Sequence, residues 1–201
     1  MAEERRPYRD PKDVDPELWE ELLRMDRGTA AQNAGALLTH RGYLLRFLDT
    51  DYEILPEERL IEPPDGLGFE FYMVVLNYLI RADAGGLTGR TVTEKELKGG
   101  QFFFVGPHEL KTKIIIDRFG TDPEGFIAAG QRLGGVATGM GDASIRLMVL
   151  PRVPLGFILW RGDEEFGASV ATTFDSSIER LLPLDCVWSL VTQAAYRLAR
   201  A

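Results

Sequence analysis

The sequence has few of the residues that build metal and redox centres. Its 201 residues include one cysteine, Cys186, and two histidines, His40 and His108. A single cysteine excludes an internal disulfide and any iron–sulfur cluster held by several cysteines of the same chain. A zinc site would need carboxylates to complete its ligands. We therefore expect no cysteine-based metal or redox centre.

A basic cluster and a long apolar run are also absent from the sequence. The net charge is −8, from 31 acidic and 23 basic residues, and a surface of that sign repels nucleic-acid phosphates and anionic lipids. The densest apolar run, FYMVVLNYLI, is about half the length that a bilayer requires. The N-terminal MAEERRPYRDPKD lacks the apolar core of a signal peptide. These absences predict a cytoplasmic protein that binds neither nucleic acid nor membrane.

What is present is a mixture of strand and helix patterns. Residues 1–14 are charged and poor in large apolar side chains, which predicts a flexible tail before a single domain at 15–201. Alternating segments within 36–55 and 143–174 predict antiparallel meanders. Residues Phe69–Ala82 are apolar nearly all round, which predicts a helix buried on several sides. The predicted fold class is α+β, with these meanders packed against that helix and an amphipathic C-terminal helix.

Shorter signals predict where individual elements begin and end. Asp15 and Pro16 are suited to start a helix, and Gly28 predicts its end. TEKE at 93–96 has the spacing of a capping box. GGQFFFVGP, which begins at Gly99, predicts a turn followed by an extended aromatic run.

Two stretches carry a resemblance to a known family: LNYLIRADAGGLTGRTVTEKELKGGQFF and LPRVPLGFILWRGDEEFGASVATTFD. From roughly Ala34 to Leu198, the chain resembles domain-of-unknown-function family 3786 of bacteria and archaea. The resemblance assigns no catalytic residue. Some relatives are fused to a cysteine-rich module similar to the iron–sulfur domain of corrinoid proteins. The resemblance thus implies corrinoid or redox-cofactor metabolism, with any iron–sulfur cluster supplied by a partner protein.

Three consecutive acids, Asp163, Glu164 and Glu165, follow an apolar strand pattern whose two faces are both apolar. Such a strand lies centrally in a sheet or under helices. Gly162 and Gly167 flank the acids, as in an ordinary hairpin connection. General acid catalysis would need a carboxyl group whose pKa is raised by burial or by a near neighbour. We interpret the acids as a hairpin tip.

Asn77 and Arg81 lie four residues apart on the apolar helix. Buried amides and guanidinium groups need hydrogen-bond partners. The pair is interpreted either as a polar network that ties the helix to the DAGGLTG loop or Asp83, or as a clamp for a carboxylate or phosphate.

Three further positions are candidates for binding or chemistry. Arg152 stands between two prolines in a stiffened link, which suits anion recognition and equally a surface linker. His108 follows Gly-Pro near a helix start, where a neutral imidazole could serve as an axial ligand to haem or cobalt, although a lone histidine is more often a helix-end residue. Cys186, in the first turn of the last helix, is more often a small buried thiol than a reactive one.

The favoured function is a non-enzymatic binding or accessory domain with a corrinoid, a tetrapyrrole or another amphipathic cofactor in an apolar pocket. One alternative is a protein-interaction module that forms a homodimer or docks an iron–sulfur partner. The other is a hydrolase or lyase in which the acids of the tip, with Asp142 or Asp175, hold a divalent cation. The predicted cofactor-binding residues of the favoured function are Tyr72, Asn77, Arg81, Phe103, His108, Arg152 and Trp160.

Overall fold

The computed structural model describes residues 10–64, 67–163 and 165–201. Most of the predicted tail, residues 1–9, lies outside the described residues. Its remaining part is ordered: Pro11–Asp13 form a 3-10 turn that the Asp10 side chain caps, and Val14 is buried in the core.

The N-terminal part of the chain forms a four-stranded antiparallel sheet with three helices. The strands follow one another in the order β1-β2-β3-β4, which confirms the predicted meander. Aromatic contacts join the sheet to α3, since the rings of Phe47 and Tyr52 pack on Phe71 with centroids 5.2 and 4.7 Å away. The elements are α1 Pro16–Arg24, α2 Arg27–Ala34, β1 Leu37–Leu38, β2 Tyr43–Phe47, β3 Thr50–Leu55, β4 Leu60–Glu62 and α3 Phe69–Arg81.

The predicted end of the first helix at Gly28 is wrong. The Asp26 side chain accepts a hydrogen bond from Thr29 N at 2.8 Å and so caps a second helix, α2, directly after the first. Gly28 lies inside that helix. The glycine that ends it is Gly35, whose φ of +66° places it in the left-handed region. The start at Asp15 and Pro16 is confirmed.

The rest of the chain forms a five-stranded antiparallel sheet and its covering helices. The strand order is β5-β9-β8-β7-β6, and the three long strands predicted at 143–174 are confirmed, with β8 in the centre. A main-chain hydrogen bond from Leu48 N to Val149 O, 3.0 Å long, joins the two sheets. The elements are β5 Thr91–Val92, α4 Gly100–Phe103, α5 Lys113–Phe119, α6 Pro123–Arg132, β6 Val136–Ala137, β7 Ala143–Leu150, β8 Val153–Trp160, β9 Ser169–Asp175, α7 Ile178–Leu181 and α8 Leu184–Arg200.

The extended aromatic run predicted after Gly99 is wrong, because these residues form the helical turn α4. Gly99, at φ +81°, redirects the chain. Gly100 then approaches Glu94 so closely that a Cβ there would stand 1.9 Å from the Glu94 carbonyl oxygen. The turn buries Phe104 and leaves Phe102 77% exposed. The capping box before it, formed by Thr93 and Glu96, is confirmed.

The central helix α3 is buried on several sides, as its apolar surface predicts. It contacts α1, α2 and α8 and also the four-stranded sheet. Its buried side chains are Phe71, Tyr72, Val74, Val75, Leu76, Tyr78 and Leu79. Among the described residues, no helix has both the length and the apolar character needed to cross a membrane.

The two faces of the five-stranded sheet differ. On one face, Ile145, Leu147, Leu155 and Phe157 are fully buried beneath the helical layer of α5 and α6. Residues two apart in a strand lie on the same face, so the residues between these point to the other side. That side carries exposed residues such as Met148, and we refer to it as the open face.

Candidate binding site on the open face of the sheet

The open face forms a cleft of about 390 Å³ whose floor is mostly apolar. Met148, Pro154 and Ile158 contribute from β7 and β8, while Val136 and Met140 stand at one side. Met148, near the end of β7, is 45% exposed. The described lining residues are Leu87, Gly89, Thr91, Gly134, Val136, Thr138, Met140, Arg146, Met148, Pro154, Gly156, Phe157, Ile158, Thr173, Phe174 and Asp175.

Arg146 is the one positively charged residue among the described lining residues. Arg146 lies on β7 between Ile145 and Leu147, whose side chains point to the covered face. Its guanidinium is exposed and has no hydrogen bond or ion pair with any residue that the structure describes. The register places it directly opposite Val136 on one side and Gly156 on the other.

The carboxylate of Asp175, at the end of β9, accepts four hydrogen bonds from described residues, and three of them come from the loop that forms one rim of the cleft. Thr88 donates to its Oδ1 from N and Oγ1 at 2.9 and 2.8 Å. Gly89 N donates to Oδ2 at 2.7 Å, and Ser177 N donates to Oδ1 at 2.9 Å. Partial burial acts to raise the pKa of Asp175, but the hydrogen bonds from Ser177 and Thr88 outweigh it and hold that pKa well below its usual value.

Two arginines hold the other part of the same loop. The Arg180 guanidinium contacts both carboxylate oxygens of Asp83 at 2.6 Å and donates to Gly86 O at 2.9 Å. Arg152 donates to Asp83 O at 3.0 Å and to Gln32 O at 2.9 Å. The rim at Leu87 and Gly89 is therefore fixed from both of its ends.

Arg152 lies in the turn between β7 and β8, and its hydrogen bonds connect that turn to other parts of the fold. Its guanidinium donates to the main-chain carbonyl oxygens of Asp83, Gly85 and Gln32. Its own N–H donates to the Tyr78 hydroxyl at 3.1 Å, and that hydroxyl donates to Ala34 O at 2.7 Å. Burial raises the pKa of Tyr78, so this phenol stays protonated and keeps donating.

Asn77 and Arg81 are placed on a part of α3 that is less buried than the rest. Asn77 is half-buried, and its Nδ2 donates to Met73 O, one turn earlier in the helix, at 2.9 Å. Arg81 is exposed. The expected contact between Arg81 and Asp83 is replaced by the ion pair between Asp83 and Arg180.

The predicted aromatic residues do not converge on one pocket. Tyr72 is buried under β4, where its hydroxyl accepts a hydrogen bond from Ile61 N at 3.1 Å. Trp160 is 40% exposed at the end of β8. Phe103 and His108 are brought together, with stacked rings whose centroids are 4.5 Å apart. None of the seven predicted cofactor-binding residues lines the cleft on the open face, so their role in binding stays a prediction.

The acidic segment lies in the connection between β8 and β9, as a hairpin tip would. Glu164 is outside the described residues. The side chain of Asp163 accepts hydrogen bonds from Phe166 N at 2.6 Å and Glu165 N at 2.9 Å. These bonds lower the pKa of Asp163, and the group is exposed. The carboxyl thus stays ionised, unlike a general acid.

The other candidate groups for chemistry are occupied or buried. Asp142 accepts a hydrogen bond from Arg161 N at 2.8 Å. Cys186 is buried, its Sγ donates to Met73 O at 3.6 Å, and burial raises the pKa of its thiol. Within residues 10–64, 67–163 and 165–201, no group of three or more His, Cys, Asp or Glu residues could hold a metal ion.

Sequence reasoning did not identify Arg146, Met148 or Thr173 as site residues. A signal for the first two was available, because ASIRLMVL alternates buried Ile145 and Leu147 with exposed Arg146 and Met148. Nothing local indicated that the second face of β8, which is also apolar, would have no covering helix.

Comparison with known proteins identifies a family. Searches of curated proteins and of solved structures each gave no match. One family model, described as a domain of unknown function (DUF3786), matches residues 26–197. The two stretches that carry the resemblance meet in the fold, because β5 pairs with β9 and Thr88 contacts Asp175. The chain therefore belongs to the DUF3786 family.

Proposed function

We propose that this protein is a binding domain that holds an amphipathic small molecule on the open face of its five-stranded sheet. The observation that carries the proposal is the apolar floor left without a covering helix. Its cleft of about 390 Å³ lies within the range of about 300–1,000 Å³ that is usual for small-molecule sites. A tetrapyrrole or corrinoid would lie flat on this floor, with part of the ring system outside the cleft.

The polar groups of the cleft support binding rather than acid–base turnover. An acid or base catalyst needs a pKa close to the working pH. Asp175 is the one carboxylate among the described lining residues, and its pKa is lowered instead. The carboxylate accepts hydrogen bonds from Thr88 N and Gly89 N, and these bonds fix the rim of the cleft.

A neutral fluorescent probe tests the proposal. We expect N-phenylnaphthylamine to bind the purified protein saturably at one site, with a blue-shifted emission. Met148→Asp puts a charge on the apolar floor at an exposed position, so it should weaken binding about tenfold or more without unfolding the protein. Phe102→Asp is the matched control, because Phe102 is exposed on α4 outside the cleft.

Two results would overturn the proposal. One is the absence of saturable binding to the wild-type protein. The other is an equal loss of binding in the Met148 and Phe102 variants. Sedimentation of the same samples tests the interaction-module alternative. If Met148→Asp dissociates a dimer, the open face contacts a second copy of the chain instead of a small molecule.

A further inference from the structure

We infer that the ligand of the open face carries an anionic group, and that Arg146, Thr173 and Gly156 form the subsite for that group. This inference rests on the proposed binding function and adds the chemical class of the ligand to it. The class is an apolar body that ends in a carboxylate, a phosphate ester or a sulfonate.

The three residues form one row across three neighbouring strands. Arg146 on β7 stands opposite Gly156 on β8, and Gly156 stands opposite Thr173 on β9. Directly opposite residues have Cβ positions about 5 Å apart, so Arg146 and Thr173 flank a glycine. A Cβ at Gly156 would lie 2.2 Å from Thr173 Oγ1, which shows that the hydroxyl leans over the glycine. Gly156 thus places no side chain of its own between the two donors, and we refer to this position between Arg146 and Thr173 as the dip.

Both donors are uncommitted within the protein. Neither the Arg146 guanidinium nor the Thr173 hydroxyl has a hydrogen bond or ion pair with a described residue. The nearest carboxylate along β9 belongs to Asp175, whose two oxygens accept four hydrogen bonds from Thr88, Gly89 and Ser177. That carboxylate forms no ion pair with Arg146.

The surroundings select an amphipathic anion over a small inorganic one. A guanidinium presents paired donors that match the two oxygens of a carboxylate, phosphate or sulfonate group. Next to the dip, the cleft is lined by Met148, Pro154 and Ile158, which provide an apolar surface for the body of the ligand. The net charge of −8 repels free anions from the protein as a whole, so the apolar body must supply part of the affinity.

Two dyes with nearly the same body test the inference. Anilinonaphthalene sulfonate carries an anionic group that N-phenylnaphthylamine lacks. We expect the wild-type protein to bind the anionic dye about tenfold more tightly than the neutral one, as a charge-assisted hydrogen bond allows. Arg146→Gln should lower the ratio of the two affinities from about ten to about one. Thr173→Val should reduce the difference by a smaller factor.

Arg118→Gln is the charge-matched control, because Arg118 is exposed on α5, outside the cleft. Equal affinity for the two dyes, or an equal effect of the Arg146 and Arg118 variants, would overturn the anion subsite while the binding function stands. Failure of both dyes to bind would overturn the binding function itself. Competition of decanoate and decyl phosphate against the neutral dye, with decanol as reference, then identifies the preferred anionic group.

Discussion

The two faces of the five-stranded sheet are built by the same strands and differ in what covers them. On the covered face, α5 and α6 bury side chains such as Leu155 and Phe157 completely. On the open face, Met148 and Val136 keep about half of their surface in solvent (45% and 58%). Burial of apolar area is what stabilises a fold, at about 25 cal/mol per Å². The apolar residues of the covered face therefore stabilise the protein, and exposed residues of the open face such as Met148 and Val136 contribute less to stability.

The largest expected effect tests this difference directly. Phe157→Ala should lower the free energy of unfolding by about 3–5 kcal/mol, because it leaves a cavity in the covered core. Met148→Ala should lower it by less than about 1 kcal/mol, as at other exposed positions. Urea unfolding of both variants measures the two values. A loss of several kcal/mol in the Met148 variant would mean that another chain covers the open face in solution.

A second comparison tests the packing of the Thr173 side chain against Gly156. Gly156→Ala should destabilise the protein by about 1–3 kcal/mol, because the new methyl group overlaps Thr173 Oγ1. In a Thr173→Ala background the same change should be neutral or stabilising, since alanine is otherwise favoured over glycine in a strand. A double-mutant cycle by thermal or urea unfolding measures this coupling. No coupling between the two positions would show that the Thr173 hydroxyl does not lie over Gly156.

The rim of the open face should depend on pH through Asp175. Its pKa is lower in the folded protein than its ordinary value of 3.8, so the ionised form stabilises the fold above that value. This stabilisation is lost as the pH falls below about 4 toward the folded pKa. Asp175→Ala should cost about 1–2 kcal/mol at neutral pH and progressively less in acid. Urea midpoints at several pH values measure the difference, and a constant difference across this range would contradict the prediction.

The smallest effect is expected at the hairpin tip, which lies beyond both faces. Replacing Asp163, Glu164 and Glu165 together with serine should change stability by about 1 kcal/mol or less, as for other exposed positions. Thermal unfolding is the measurement. A much larger loss, or the loss of a bound metal that the wild-type protein retains, would show that the tip is a functional site.

The long elements could be predicted from the sequence because their patterns are local. Alternation in ASIRLMVL and helical spacing in the C-terminal segment correspond to β7 and α8. The apolar character of both sides of LGFILW correctly predicted a central strand, β8. The helix α2 was missed because a new cap at Asp26 follows the preceding helix without a loop signal.

The candidate site could not be predicted in the same way, because its formation depends on which face the helices cover. Ile158 and Trp160 give the open side of β8 the same apolar pattern as its covered side. Large aromatic residues such as Tyr72 were predicted to line a pocket. In the structure, Tyr72 packs in the core, and its hydroxyl accepts a hydrogen bond from Ile61 N. The rim also depends on contacts between residues that are far apart in the sequence, as between Thr88 and Asp175.

That separation has a consequence for the order in which the protein folds. Thr88 and Asp175 are 87 residues apart, whereas β7, β8 and β9 follow one another closely in the chain. Closing a longer loop costs more chain entropy, so the β7–β8–β9 meander is expected to form before the rim joins it. Contacts that form late and bury little surface also open at low free energy. In native-state hydrogen exchange, the amides of Thr88 and Gly89 should therefore exchange through local opening, long before those of central β8.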